Sequence, residues 1–398
     1  MPSLLLAVLL AASLLVGAAR HAEAREVTIG YLSWEDDPRY DENRIEHEFP
    51  THPAARPFAG AEVGLAESSF ALAAQDLEVS LDPVEVADEA GAMKALEDWA
   101  SRGAVAVVLD LPGEWVKTAA AHLAGLGDKA PLLFNATAPD DELRGAGCHP
   151  QLFHTIPNRR MQADALAQML AIRRWNRVLV LQGPGPADQE RGKAFAQAAR
   201  KFGLKIVATR PFKLSNDPRE RDLGNIALLT ANADYDAVAV IDADGEFARG
   251  VPYQTVLPRP VVGANGLTAQ AWHSHFERYG APQLSKRFRK AAKRPMSSWD
   301  WSTWIAVKAI SHALTTQPAA LAKGVRDVLR SPETILDGFK GVRLSFRPWD
   351  QQLRQPVFLS YGDGIGGIAP FEGFLHQRDT LDTLGFDQPE SACKAIGK

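Results

Sequence analysis

From residue 25 to residue 263, short apolar runs alternate with longer stretches of helical periodicity, and no other feature restricts the fold as much. The runs at 27–32, 104–109 and 131–134 have the length and composition of strands covered on both faces. Residues 78–86 alternate as a strand does, and helical spacing marks 58–74, 92–100 and 114–126. Gly103 stands where a left-handed helix cap belongs. The plan then recurs, with helices expected at 161–173, 187–202 and 221–231 and strands at 177–182, 204–210, 237–241 and 260–263. Strand–helix–strand order requires parallel sheets with helices on both faces. A chain of 398 residues that is 46% hydrophobic has material for two such cores. Helices follow at 283–291, 301–314 and 318–329, then two strands within 344–360 joined by Pro348, Trp349 and Asp350, then a covering tail.

Net charge is -4 with 23% charged residues, so no basic face for nucleic acid is expected. The Leu/Ala/Val run at 4–16 is short for a membrane span, and Ala22-Glu23-Ala24 offers a small-x-small cleavage site. Residues 1–24 read as a secretory signal peptide cleaved near Ala24, with a membrane anchor as the alternative, and the expected location is the periplasm. Two cysteines, Cys148 and Cys393, follow that segment. An even count in an exported chain favours one disulfide, two buried thiols being the other reading.

Gly362-Asp363-Gly364-Ile365-Gly366-Gly367 satisfies a dinucleotide-type pattern, but Pro370 forbids the helix that would receive a pyrophosphate, leaving a glycine-rich turn. The acidic loop Glu35, Asp36, Asp37, Asp41 and Glu42 could offer oxygens to a cation, although Pro38 and Arg39 interrupt it and a solvated loop is the simpler reading. His273 and His275 are the nearest histidine pair, expected on opposite sides of a helix. No nucleophile-elbow or zinc-type motif occurs, so neither catalysis, a metal nor a cofactor is expected. Trp299, Trp301 and Trp304 open a helix, and core packing competes with an aromatic ligand wall there.

The stretch from 131 to 166 couples a buried strand to a polar end, Asn135-Ala136-Thr137, then a second extended run and the helix start Asn158. Ligands of α/β proteins sit outside the carboxyl ends of parallel strands. ATAPDDELR followed by LFHTIPNRRMQADALAQML resembles type I periplasmic solute-binding proteins of the branched-chain amino-acid-binding kind. RPFAGAEVGLAES, NATAPDDELRGAGC, LPRPVVGANGL, FKGVRLSFRPWDQQLRQP and GFLHQRDTLDTLGFDQPESAC resemble a subgroup of ABC transporter substrate-binding proteins associated with PQQ-dependent alcohol dehydrogenase systems. The resemblance implies an α/β fold of two Rossmann-like lobes with parallel central sheets joined by three crossing strands. It implies one lobe of 25–154 plus 265–330, another of 155–264 plus 331–370, and a tail of 371–398. The crossings would lie near 154–157, 262–266 and 329–336. It also adds weight to a Cys148–Cys393 bridge.

For function the resemblance implies a non-catalytic binding component that closes over a small-molecule ligand and serves an ABC-type membrane permease. Components of a quinoprotein alcohol dehydrogenase system are further expected partners. The alternative is a ligand-sensing or assembly partner of that system without transport. Carried over residue by residue, the ligand site would comprise Asn135, Ala136 and Thr137, Asp110 and Trp115 of the next strand-end loop, Asp242 and Asp244 of the other lobe, and Asn265 at a crossing. Each has a simpler reading: a strand-end turn for Asn135–Thr137, core packing for Trp115, a solvated acidic turn for Asp242 and Asp244. The chain departs from amino-acid-binding relatives in having no Ser or Thr at 110–115 and Gly183-Pro184-Gly185-Pro186 in place of an aromatic. Asn265 stands where those relatives carry an acidic residue.

Overall fold

The computed structural model describes residues 24–41 and 55–396; the expected signal segment and Glu42 of the acidic loop fall outside them. The first sheet contains β1 (Arg25–Trp34), β2 (Leu77–Val86), β3 (Ala106–Asp110), β4 (Leu132–Asn135) and β5 (Leu152–His154), ordered β2-β1-β3-β4-β5 and parallel throughout. Alternation along β3 shows why its sequence is apolar at every position. Ala106 and Val108 point into one core layer, and Val107 and Leu109 into the other. Helix α1 (Phe58–Ala73) covers the first face, and α2 (Glu89–Ser101) and α3 (Gly113–Leu123) cover the second. Gly30 lets Trp99 reach the sheet, since a Cβ there would meet the indole at 2.7 Å.

The second sheet is also parallel, ordered β7-β6-β8-β9, from β6 (Arg177–Gln182), β7 (Lys205–Pro211), β8 (Ala237–Ile241) and β9 (Val261–Gly263). Helices α4 (Arg159–Ile172) and α5 (Pro186–Lys201) close one face. On the other, the helix expected over 221–231 is divided into a 3-10 segment, Pro218–Gly224, and a short α6 (Ile226–Thr230). Asn225 causes the break: its backbone is extended and its side chain accepts the Leu228 N–H, so it caps a new helix instead of continuing the old one. A one-turn α7 (Val251–Gln254) precedes β9.

The chain then returns to the first lobe. A short β10 (Thr268–Gln270) leads to α8 (Ala281–Ala292), α9 (Ser298–Thr316) and α10 (Ala322–Arg330), which complete the core beside α1. Ser297 and Asp300 form a reciprocal cap at the start of α9. Trp301 and Trp304 are fully buried, so those two rings belong to the core.

Two small antiparallel sheets finish the fold. One orders β11 (Leu336–Asp337), β12 (Arg343–Phe346) and β13 (Leu353–Arg354); the other orders β10, β14 (Val357–Tyr361) and β15 (Gly364–Ala369) as β10-β14-β15. Gly362 and Asp363 form the β14–β15 turn, Gly362 with φ +50.

Passages between the lobes lie at 155–158 and near 270, since Leu267 and Ala269 pack against the second lobe's core while Ala271 and Trp272 join the first's. The third comes later than the expected 329–336, because Leu336, Leu344, Phe346 and Leu353 still pack in the first lobe's core. Along β14, Phe358 faces that core while Val357 and Leu359 face the second. The second lobe therefore resumes near residue 355 instead of 331. Among the described residues no helix is long and apolar enough to cross a membrane.

Cys148 and Cys393 are joined, their Cα atoms 5.5 Å apart. The tail also holds the second lobe, where the Gly385 N–H donates to Asp164 and Lys201 donates to the Thr383 and Gly385 carbonyls.

Candidate functional site between the lobes

At the carboxyl ends of β1, β3 and β4, where a ligand was expected, the space is filled by the protein's own polar groups. Asp110 has no exposed surface. It accepts from Tyr40 Oη at 2.7 Å, Arg39 Nη2 at 3.1 Å and Tyr31 Oη at 3.2 Å. Burial pushes the Asp110 carboxyl up, and the Arg39 guanidinium pulls it back down. Arg39 is held in turn by Asp37, at 2.6 Å, and lies over the rings of Tyr40 and Trp299. This part of the acidic loop is thus a clamp on Arg39.

Asn135 is equally committed. Its Oδ1 accepts the Ala138 N–H at 2.9 Å and its Nδ2 donates to the Ala138 carbonyl at 2.8 Å, with His154 Nδ1 3.2 Å away. Ala136 and Thr137 are buried. The Thr137 hydroxyl is buried near the Asp110 carboxylate and makes no hydrogen bond of normal geometry. Burial holds His154 well below the ordinary imidazole value, so it is neutral.

A cavity of about 600 Å³ opens beside this plug, between the lobes. The first lobe contributes Trp272, His273, His275 and residues 294–299. The second contributes Ile156, Arg159, Leu166, Arg191, Phe195 and residues 240–242, and Thr268, Ala269 and Gln270 of the crossing segment form part of the wall. The residues run through both lobes because the cap of α9, the start of α4 and the carboxyl end of β8 converge here. Trp272 is backed by Trp301, ring planes 8° apart, and Ser298 exchanges hydrogen bonds with its backbone. Trp299, half-buried, has Arg39 against its ring at 5.2 Å.

Charge in the cavity is unevenly placed. Arg191 makes one long contact, Nη1 to the Asp242 carbonyl at 3.4 Å, and no ion pair among the described residues. The surrounding protein and the neighbouring Arg159 lower its pKa against the opposing pull of Asp188, Asp242 and Asp244, although its side chain keeps contact with solvent. Arg159 is paired through Nη1 with Asp140 at 2.9 Å, while its Nε is buried without a partner. Asp242 turns its carboxylate into its own loop, where Oδ2 accepts the Ala248 N–H at 2.9 Å, and burial raises its pKa. His273 is buried and its Nε2 lies 3.1 Å from the Gly362 carbonyl. Both His273 and His275 sit in a loop, not a helix, and both line the cavity.

Of the residues expected at the site, Asp242 is in the cavity wall and the others are not. Asp110, Asn135, Ala136 and Thr137 lie behind the Arg39 plug. Trp115 packs against Trp34, ring centroids 4.9 Å apart, on the outer layer of the first lobe. Asn265 bonds the next backbone N–H, Gly266, at 2.6 Å and closes its own turn. Asp244 acts on Arg191 from outside the wall. Sequence reasoning missed Arg159, Arg191, Trp272 and the loop 294–299. Trp299 had been singled out, and it is the ring of the tryptophan cluster that faces the cavity.

Two parallel sheets, each layered with helices, are joined by three passages with a cavity at the join. A family model described as periplasmic binding protein matches residues 85–251. Solved structures extend the likeness to nearly the whole chain. A branched-chain amino acid ABC transporter periplasmic ligand-binding protein from Burkholderia xenovorans superposes with a TM-score of 0.71 at 12% identity, covering 93% of this chain and 100% of that one. This is the type I periplasmic-binding-protein fold. Other structures sharing it include an ABC transporter substrate-binding protein from Desulfitobacterium hafniense in complex with Leu, TM-score 0.65 at 17% identity, covering 86% and 99% of the two chains. A solute-binding protein from R. palustris in complex with benzoate has a TM-score of 0.64 at 14% identity, covering 93% and 100%. Comparison with curated protein sequences finds no match.

Proposed function

We propose that the chain is a non-catalytic, periplasmic solute-binding component of an ABC-type transport system. The cavity carries this reading: it is walled by both lobes and by the segments that pass between them, so an occupant touches surfaces that a hinge motion separates. Such a ligand stabilises the closed form by its extra contacts there and shifts the open–closed balance accordingly. The membrane permease would recognise the closed pair of lobes. The structural neighbours that hold Leu or benzoate support a small organic solute. Motifs such as FKGVRLSFRPWDQQLRQP support a link to PQQ-dependent alcohol oxidation, and the solute would then belong to that metabolism.

A thermal-shift screen of small organic acids, alcohols and amino acids, followed by small-angle X-ray scattering with each hit, tests the reading. A solute that raises the melting temperature and reduces the radius of gyration is the expected result. Failure of every solute to change either quantity would overturn it.

A further inference from the structure

We infer that the cleft takes a small aromatic carboxylate, its carboxylate held by Arg191 and Arg159 of the second lobe and its ring against Trp299 of the first. The inference rests on the solute-binding reading and gives that site its chemistry.

Arg191 projects into the cavity without an anionic partner among the described residues, and the buried Nε of Arg159 has no acceptor. Arg159 disfavours the charge on Arg191 while Asp188, Asp242 and Asp244 favour it without forming an ion pair, so the fork of Arg191 is left for an anion in the cavity. A carboxylate offers paired oxygens that match a guanidinium fork. The carboxylates in the wall cannot serve an ammonium group in the same way. Asp242 is spent on the Ala248 N–H, and Asp363 is 87% exposed beside His275 on the β14–β15 turn. The wall also carries apolar groups, Trp299, Phe195, Met296, Ile156 and Leu166, interspersed with the polar Gln162, Gln270, His273 and Ser298. Arg39 lies against the Trp299 ring at 5.2 Å and helps to hold it in place before a ligand arrives. The carboxyl end of the first sheet is closed by Asp110 and Arg39, and Arg294 of the first lobe is paired with Asp300, which leaves the second lobe to hold the acid.

Isothermal titration with benzoate, its neutral isostere benzamide, and phenylalanine provides the test, using wild type, Arg191→Gln, Arg159→Gln and the surface control Arg173→Gln. Benzoate is expected to bind at least tenfold more tightly than benzamide or phenylalanine, and to weaken with added salt. Arg191→Gln is expected to reduce benzoate affinity at least tenfold while leaving the unliganded melting temperature equal or higher, because it removes one of two repelling charges. A merely structural arginine would lower that temperature. The control variant should match wild type. Equal affinity for benzoate and benzamide, or unchanged benzoate affinity in both site variants, would overturn this inference and leave solute binding intact. Absence of benzoate binding while another class of solute closes the lobes would do the same. If no solute closes them, both readings fall.

Discussion

The guanidinium of Arg39 lies 3.1 Å from the carboxylate of Asp110 at the carboxyl end of β3, and the contact closes the crevice at the end of the first sheet. Asp110 also receives the Tyr31 and Tyr40 hydroxyls. Truncating it to Ala would leave two phenols and a largely buried cation short of an acceptor. Asp37 still pairs with Arg39, which limits the damage. Asp110→Ala should therefore cost about 2–4 kcal/mol of stability, measurable by urea denaturation. Arg39→Ala, which strands the buried carboxylate, should be comparably destabilising at neutral pH and milder in acid. Wild-type stability in both would refute a structural role for the cluster.

Thr137 stands behind this cluster, not in the cavity wall. Thr137→Val keeps the volume and branching and removes only a hydroxyl that faces Asp110. The affinity of any solute bound in the cleft should stay within about twofold, with stability lowered by about 1 kcal/mol or less. A tenfold loss of affinity at unchanged melting temperature would return the ligand to the strand end.

The candidate cavity lies beside the strand-end residues that the sequence singles out, because local signals are legible in a sequence and contacts between lobes are not. Parallel strands buried on both faces leave unbroken apolar runs, so 104–109 and 131–134 declared themselves without reference to any partner. Asn135 was legible as a strand-end residue because its turn is local, involving only Ala138 and His154. Arg191 and Trp272 come together only through two lobes folding and facing each other. Neither carries a local signal, since a lone Arg on a helix looks the same whether it meets solvent or a ligand. The plug was hidden for a similar reason: Arg39 sat in what read as a solvated acidic loop.

Asp350 gives the chain a pH dependence that can be isolated. It is 1% exposed, and burial pushes its carboxyl up to about 6 despite the neighbouring Arg347. An acid whose folded pKa is raised binds more protons in the folded than in the unfolded state, so it lowers stability as pH rises from about 4 to about 6. Asp350→Asn removes this titration and keeps the Oδ1 that accepts the Gln352 N–H. Between pH 4 and pH 6.5 the stability of the variant relative to wild type should rise by about 1–3 kcal/mol. Parallel denaturant curves at the two pH values would show it, and a constant difference would sink the assignment.

The Cys148–Cys393 bond spans 245 positions. In the chain-entropy model a loop of that length contributes about 5 kcal/mol. Unreduced, denatured protein should show no reactive thiol, whereas two would exclude the bond. Since Gly385 and Thr383 are tied to the second lobe, reduction should also loosen the tail across the join between lobes. Hydrogen exchange after reduction should therefore rise at 380–393 before the sheets are affected.

Branched-chain amino acids should bind this cleft poorly. An α-amino acid presents an anion and a cation on one carbon, and a site for it must answer both. Here Arg159 and Arg191 stand together on one lobe, and Arg294 of the other lobe is already paired with Asp300. The buried acid in the wall, Asp242, is already bonded to the Ala248 N–H and is pushed by burial toward its neutral form. Asn265 closes its own turn. The ammonium group of leucine, isoleucine or valine would be desolvated without a charged acceptor, a loss that their apolar side chains cannot recover from a few methylenes. Each should bind with a dissociation constant weaker than about 100 μM by calorimetry. A micromolar constant for any of them corresponds to about -8 kcal/mol and would require an acid that swings into the cleft on closure. Asp244→Asn and Asp363→Asn would then identify it, because only the variant lacking that acid would lose the affinity.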